Sequence, residues 1–154
     1  MTLTWTCCPF DALALTELYA VLRLRVEVFV VEQECPFQDL DGQDEHALHL
    51  LGLTATGELV AYARLFAAGR SYSEVAIGRV VVAPAFRRFG LGQMLMREAV
   101  AQCEAAFGSQ PIKIGAQQHL ERFYRGFGFA QCGEGYLEDG IPHIPMLRPR
   151  DLTS

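Results

Sequence analysis

No stretch of this chain approaches the ~20 uncharged apolar residues of a membrane-crossing helix, although 51% of its 154 residues are hydrophobic. That apolar content, interrupted by 20% charged residues, fits one domain spanning residues 1–154 with a single core. The start, Met1-Thr2-Leu3-Thr4-Trp5, lacks a basic segment followed by an apolar one, so a cytoplasmic location is the expectation. There is no Cys-x-x-Cys pair. Cys7, Cys8, Cys35, Cys103 and Cys132 are odd in number and scattered, which in a reducing compartment makes them small hydrophobes or free thiols. Basic excess is missing as well. A net charge of −5 argues against non-specific nucleic-acid binding, which needs clustered Lys and Arg. Internal repeats and low-complexity segments are absent.

What the chain does contain, near its middle, is a strand, a turn and a helix start. Val80-Val81-Val82 favours an extended backbone and Pro84 stops its ladder. Arg87-Arg88-Phe89-Gly90-Leu91-Gly92 then runs into Gln93-Met94-Leu95-Met96. Unsatisfied N–H groups at that helix start can face one concavity, a natural seat for a pyrophosphate. A P-loop is excluded, because Gln93 and Met94 stand where Lys and Ser/Thr would have to follow the last glycine. A dinucleotide fingerprint matches poorly, since Gly90-x-Gly92 is incomplete and lies halfway along the chain. A plain strand-to-helix turn with two glycines is the structural alternative. Arg79, Arg87, Arg88 and Arg97 give this region a local cationic field within an acidic chain.

Calcium and other metals are not expected. Counting from Asp39 in Asp39-x-Asp41-Gly42-x-Asp44-Glu45, an EF-hand needs glycine sixth and glutamate twelfth, where Asp44 and Leu50 stand. His46 and His49, three apart on a strand, point to opposite faces. The acidic loop reads as a solvated face.

Residues 3–7 read as a first strand, and Leu15, Leu18, Tyr19, Leu22, Val26 and Phe29 mark an amphipathic helix of about four turns. Residues 33–45, with Pro36 and Gly42, form the longest loop. Strands follow at 46–55 and 59–67, joined at Thr56-Gly57-Glu58, and residues 68–74 form a polar connection. Next come a strand at 75–83, a helix at 90–106, a strand at 111–116 and a helix at 120–127 stopped by Gly128. Two strands around Tyr136 and Ile144 turn at Glu138-Asp139-Gly140, and residues 148–154 read as a loose tail. The pattern is a mixed α/β sheet with helices on both faces.

Arg87-x-x-Gly90-x-Gly92 resembles the acyl-CoA pyrophosphate loop of the GNAT N-acetyltransferases. Downstream, Phe123-Tyr124-Arg125-Gly126-Phe127-Gly128-Phe129 resembles that family's Phe-Tyr-x-x-x-Gly-Phe segment, at the family's order and spacing. Leu24-Arg25, Val28-Phe29-Val30-Val31-Glu32-Gln33, Cys35-Pro36-Phe37, Asp39-Leu40-Asp41-Gly42 and His49 resemble its ElaA-type branch. The likeness covers roughly residues 3–148.

The resemblance implies a mostly antiparallel sheet of about seven strands in the GNAT-type acyl-CoA N-acyltransferase fold. It implies acetyl-CoA as cosubstrate, contacted by Val80, Val81, Val82, Arg87, Arg88, Phe89, Gly90, Leu91 and Gly92. Where the strand at Val80–Val82 splays from Ile112–Ala116, pantetheine would take the place of a missing strand and bond to backbone. Tyr124, a plain core tyrosine on the alternative reading, would protonate the departing thiolate, whose thiol pKa is about 8.5 against about 10 for tyrosine. A lysine-like acceptor, with a pKa of about 10.4, needs a base. Candidates are Glu34, His49, His119, Asp139 and His143, with His143 and Glu34 put forward; His49 and His143 have ordinary sheet histidines as their alternative.

Arg25, Phe29, Glu32, Gln33 and His49 would line the acceptor cleft, although Arg25 and Glu32 could instead pair with each other on a helix face. Asp39 or Asp41 could draw a cationic acceptor, and Cys35 is not needed as a nucleophile because direct transfer forms no covalent intermediate. The expected activity is acetyl transfer to a primary amine of a small molecule or peptide within a ternary complex. The competing readings are a non-catalytic CoA-binding sensor or scaffold, and an acyl-homoserine lactone synthase suggested by Arg25-x-x-Val28-Phe29. No nucleic-acid or membrane partner is implied, and a homodimer is left open.

Overall fold

Burial along the strands explains how the sheet takes helices on both faces. In β2 (Leu48–Leu53) and β3 (Leu59–Phe66), side chains alternate between two apolar clusters. Leu50, Ala61, Ala63 and Leu65 point one way, and Leu51 and Tyr62 the other. The computed structural model describes residues 1–150. Among these, β1 (Thr4–Pro9), β2, β3, β4 (Val75–Val82), β5 (Ile112–Gln117), β6 (Ala130–Gln131), β7 (Tyr136–Glu138) and β8 (Ile141–Arg148) form one sheet. Its order is β1-β2-β3-β4-β5-β8-β6, with β7 also on β8. The β4–β5 pair is parallel and the other pairings are antiparallel. The expected short tail does not begin at Arg148, which closes β8; residues 151–154 lie outside the described part.

Helix α2 (Leu91–Phe107) covers one face with Leu91, Leu95, Met96, Ala99 and Cys103. On the other face α1 (Leu15–Arg25) continues into a π-helical turn, Val26–Glu32, and packs Val21, Leu24 and Val28 against Leu51, Tyr62 and Val81. The expected stripe is therefore displaced by one residue around the helix. Leu15 and Tyr19 are exposed, and Arg25 is fully buried on the packed face. A charged residue turns inward here because partners await it, as described below.

β4 carries the irregularity that matters most. Tyr62 pairs with Val81 and Arg64 with Gly78, so β4 holds one more residue than β3 across this interval. Arg79 is in the left-handed region, with φ 50°. The extra residue flips the alternation: Val75 and Ile77 face α2 before it, and Val80 and Val82 do so after it. β5 pairs with β4 only at Val75↔Ile112 and Ala76↔Lys113. Beyond those two pairs the strands part and leave a wedge.

Candidate active site: a wedge between two strands

The wedge holds two adjoining cavities. The first, about 370 Å³, is lined by Ile77 to Val80 of β4 and by Ile114, Gly115 and Gln117 of β5. It opens towards the 33–41 loop and the β7–β8 hairpin. The second, about 550 Å³, lies towards the start of α2 and is lined by Val80, Val81, Val82, Arg87, Gly92 and Phe123 among others. Phe29, Gln33, Val80, Gln117, Leu120 and Tyr124 border both. Ala83 donates its N–H to Val60, on the β3 side, so by alternation the N–H groups of Val80 and Val82 face the wedge.

The sequence builds the second cavity mostly from backbone. Gly90 takes φ 69° as the N-cap of α2, between the 3₁₀ segment Pro84–Phe89 and the helix, and Gly92 leaves room beside the Phe123 ring. The free N–H groups of the first helical turn therefore reach the cavity mouth. Arg87 also stands there. Its Nη atoms reach both Glu32 carboxylate oxygens at 2.8 and 2.6 Å, and its Nε donates to the Val82 carbonyl at 3.3 Å.

Tyr124 sits where the cavities meet, on the short helix α3 (Glu121–Arg125). Phe123 and Phe129 pack edge-on to its ring. Its hydroxyl makes no hydrogen bond to the rest of the described chain, and burial pushes its pKa up to about 12. It is a neutral donor without a partner, held in an apolar collar.

The first cavity is framed by side chains. His143 is buried and stacks on Tyr136, and its Nδ1–H donates to the Ile141 carbonyl at 2.7 Å. The tautomer assigned by that bond leaves Nε2 with its lone pair, 3.5 Å from Glu138 Oε2. Cys35 donates its S–H to the Asp139 carbonyl at 3.2 Å, tying the long loop to the hairpin.

The long loop is not simply a solvated face, because Asp39 and Asp44 turn inward while Leu40 to Gln43 stay exposed. Arg25 Nε reaches Asp39 at 2.9 Å and its Nη1 reaches Asp44 at 2.7 Å. Arg64 makes a two-pronged contact with Asp41 at 2.9 and 2.5 Å and reaches Asp44 at 3.0 Å. Arg79 Nε donates to Asp39 at 2.8 Å. Three arginines thus neutralise three aspartates, two of them buried. The hydrogen bonds from Arg64 hold Asp41 well below the usual carboxylate range, and Arg25 and Arg64 hold Asp44 low against the opposing effect of burial. The Asp39–Arg79 contact pins the bulge residue itself, so loop and wedge are mechanically joined.

Several expected site residues lie elsewhere. Arg25 and His49 line neither cavity. Arg25 is a strut of the buried network rather than a partner of Glu32. His49, kept neutral by burial, accepts from the Tyr62 hydroxyl at 2.6 Å and donates to the Asp44 carbonyl at 2.8 Å. Glu32 borders the second cavity, not the first, and Glu34 is exposed and borders neither. Val80, Val81, Val82, Arg87 and Gly92 line the second cavity, whereas Leu91 is buried in the first turn of α2 and Phe89 is half exposed beside Phe86. Phe29, Gln33 and His143 border the first. Unforeseen members include Arg79, Gln117 and Glu138. The spacing of Glu138 ahead of Asp139-Gly140 marked the turn, but no local signal showed that the turn meets the wedge.

A parallel strand pair that parts at a bulge, with a glycine-started helix beside it and Tyr124 where the two cavities meet, marks the candidate active site. The family model for the Acetyltransferase (GNAT) domain matches residues 20–148, and the chain belongs to that family of acyl-CoA N-acyltransferases. It is 45% identical to protein ElaA of Escherichia coli over 146 residues, 94% of this chain and 95% of that protein, in keeping with the ElaA-type branch. The crystal structure of E. coli ElaA superposes with a TM-score of 0.88 at 44% identity, covering 96% of this chain and 99% of that one. An acyl-CoA N-acyltransferase from Pseudomonas aeruginosa gives 0.89 at 46% identity, covering 96% and 99%.

Proposed function

We propose that this protein transfers the acetyl group of acetyl-CoA to a primary amine of a small molecule or peptide, by direct attack within a ternary complex. The observation that carries this reading is Tyr124, a buried tyrosine whose hydroxyl makes no hydrogen bond within the described chain, at the junction of a backbone-lined cavity and a side-chain-lined one. The residues present fit the carrier: Val80 and Val82 offer unpaired backbone for pantetheine amides, and the start of α2 with Arg87 offers donors for a pyrophosphate. When bound there, acetyl-CoA supplies the activated thioester. Arg88, Phe89, Gly90 and Leu91 shape the same turn.

Positioning carries much of the acceleration, worth roughly 7 to 11 kcal/mol in ideal cases. Tyr124 stays neutral at pH 7 and donates its proton towards the leaving sulfur. The dry surroundings that raise its pKa raise that of the thiol in the same direction, so the proton transfer does not face the tyrosine's shift alone. His143 Nε2 accepts the amine's proton, while Nδ1–H holds the ring on the Ile141 carbonyl. His143 is preferred to Glu34, which stands outside the cavity. Phe29 and Gln33 border both cavities, where acceptor and thioester would meet. All five cysteines are free thiols, which suits a reducing, cytoplasmic setting.

The test is thiol release from acetyl-CoA against a panel of amines. Intersecting initial-rate lines are expected, and Tyr124→Phe should lower kcat by roughly 10²-fold with little change in the KM for acetyl-CoA. Parallel lines, or a Tyr124→Phe enzyme as fast as the parent, would contradict the mechanism. CoA binding without turnover of any amine would favour a sensor or scaffold.

A further inference from the structure

We infer that the acceptor cavity selects a primary amine bearing a second cationic group, which Glu138 and Asp139 at the β7–β8 turn receive. The inference rests on the acyltransferase reading above and names the acceptor class for the same site. Its basis is the charge on the cavity wall. The lining residues with formal charge are Asp41, Arg79, Glu138 and Asp139. Arg79 and Asp41 belong to the neutral network of three arginines and three aspartates. Arg79, the lining arginine, is engaged by Asp39 and Asp41 rather than by the turn, and Lys113 is held over the Tyr72 ring and lines neither cavity. Among the described residues, the basic side chain that Glu138 meets is the His143 imidazole, at 3.5 Å.

The backbone that carries the two carboxylates is fixed in place, while the Glu138 side chain is 60% exposed. Glu138 pairs with Ile141, leaving Asp139 and Gly140 as a two-residue turn with φ of 51° and 79°, the type I′ geometry that suits a tight hairpin. Cys35 holds the Asp139 carbonyl from the opposite wall. The cavity has the volume for a short chain, about 370 Å³, and Tyr124 and His143 border it, so a reacting amine and a distant ammonium can be accommodated together. A positively charged acceptor gains attraction there, and one ending in a carboxylate meets repulsion.

The experiment compares butylamine, 1,4-diaminobutane and 4-aminobutanoate as acceptors in the thiol-release assay. A glycyl-lysine amide is the fourth acceptor and separates a peptide source of the second cation from a free diamine. The expected order of kcat/KM is dication above monoamine above amino-carboxylate, with roughly tenfold between the first two at low salt and less at high salt. Replacing both carboxylates, Glu138→Gln with Asp139→Asn, keeps a residue that tolerates the turn and should erase the preference, mainly through a raised KM for the diamine. CoA protection against melting reports that the variant is folded. Equal turnover of monoamine and diamine, or a preference that survives in the double variant, overturns the inference and leaves the acyltransferase reading standing. No thiol release with any of the four, despite CoA protection, overturns both.

Discussion

Two arginine-bearing regions flank the wedge, and they are built on opposite physical terms. Behind the acceptor cavity, Arg25 and Arg64 are almost wholly buried and, with Arg79, are matched by Asp39, Asp41 and Asp44. At the mouth of the carrier cavity, Arg87 and Glu32 form an equally well-shaped pair with side chains 44% and 41% exposed. Geometry alone does not rank them. Water screens the second pair, so its strength is small and its charge stays available to a ligand. The first network has given up its hydration, so each member depends on the others. The buried network is scaffold, fixing the Arg79 bulge that opens the wedge; the exposed pair is a surface an anionic carrier can use.

The strongest way to break the contrast is Arg25→Met. It leaves Asp39 and Asp44 buried with less compensation, and unfolding by denaturant should show a loss of about 3 to 5 kcal/mol. Replacing a surface-pair member should not approach that. A smaller loss appears on acidification. Asp41 and Asp44 are depressed in the folded protein, so their contribution is fully present above the unfolded carboxylate pKa of about 3.9 and is lost as pH falls through their lower folded values. Stability measured between pH 5 and pH 2 should therefore fall on acidification, with a shallower slope in Asp41→Asn. Smallest is Glu32→Gln, expected to change stability by about 0.2 to 1 kcal/mol and by less at high salt. Arg87→Gln sharpens the point from the other side: CoA affinity measured calorimetrically should drop several-fold at low salt, with stability barely altered.

The same contrast explains what could be read in the sequence. The strand, break and helix start beside the second cavity were legible because their signals are local: three valines, Pro84 and the glycines at 90 and 92 stand within a dozen or so consecutive residues. The acceptor side was not, because its partners are distant. Asp39 meets Arg25, 14 residues away, and Arg79, 40 away, so a run of aspartates that reads as a wet loop becomes an ion network. The helix stripe was misplaced for the same reason, since a line drawn through apolar residues alone leaves out Arg25 and is rotated by one residue from the face that packs. The bulge at Arg79 was invisible because nothing marks a left-handed arginine until Asp39 holds it. His143 and Tyr124 were picked out by residue type and motif, whereas Glu138 gained significance only when the hairpin folded against the wedge.

Whether the parted strands seat the carrier is tested most directly by amide hydrogen exchange at Val80 and Val82. These N–H groups face the wedge without a β5 partner, so adding CoA should slow their exchange while leaving Ala83, already bonded to Val60, nearly unchanged. CoA binding that leaves Val80 and Val82 exchanging at their free rate would contradict that seating.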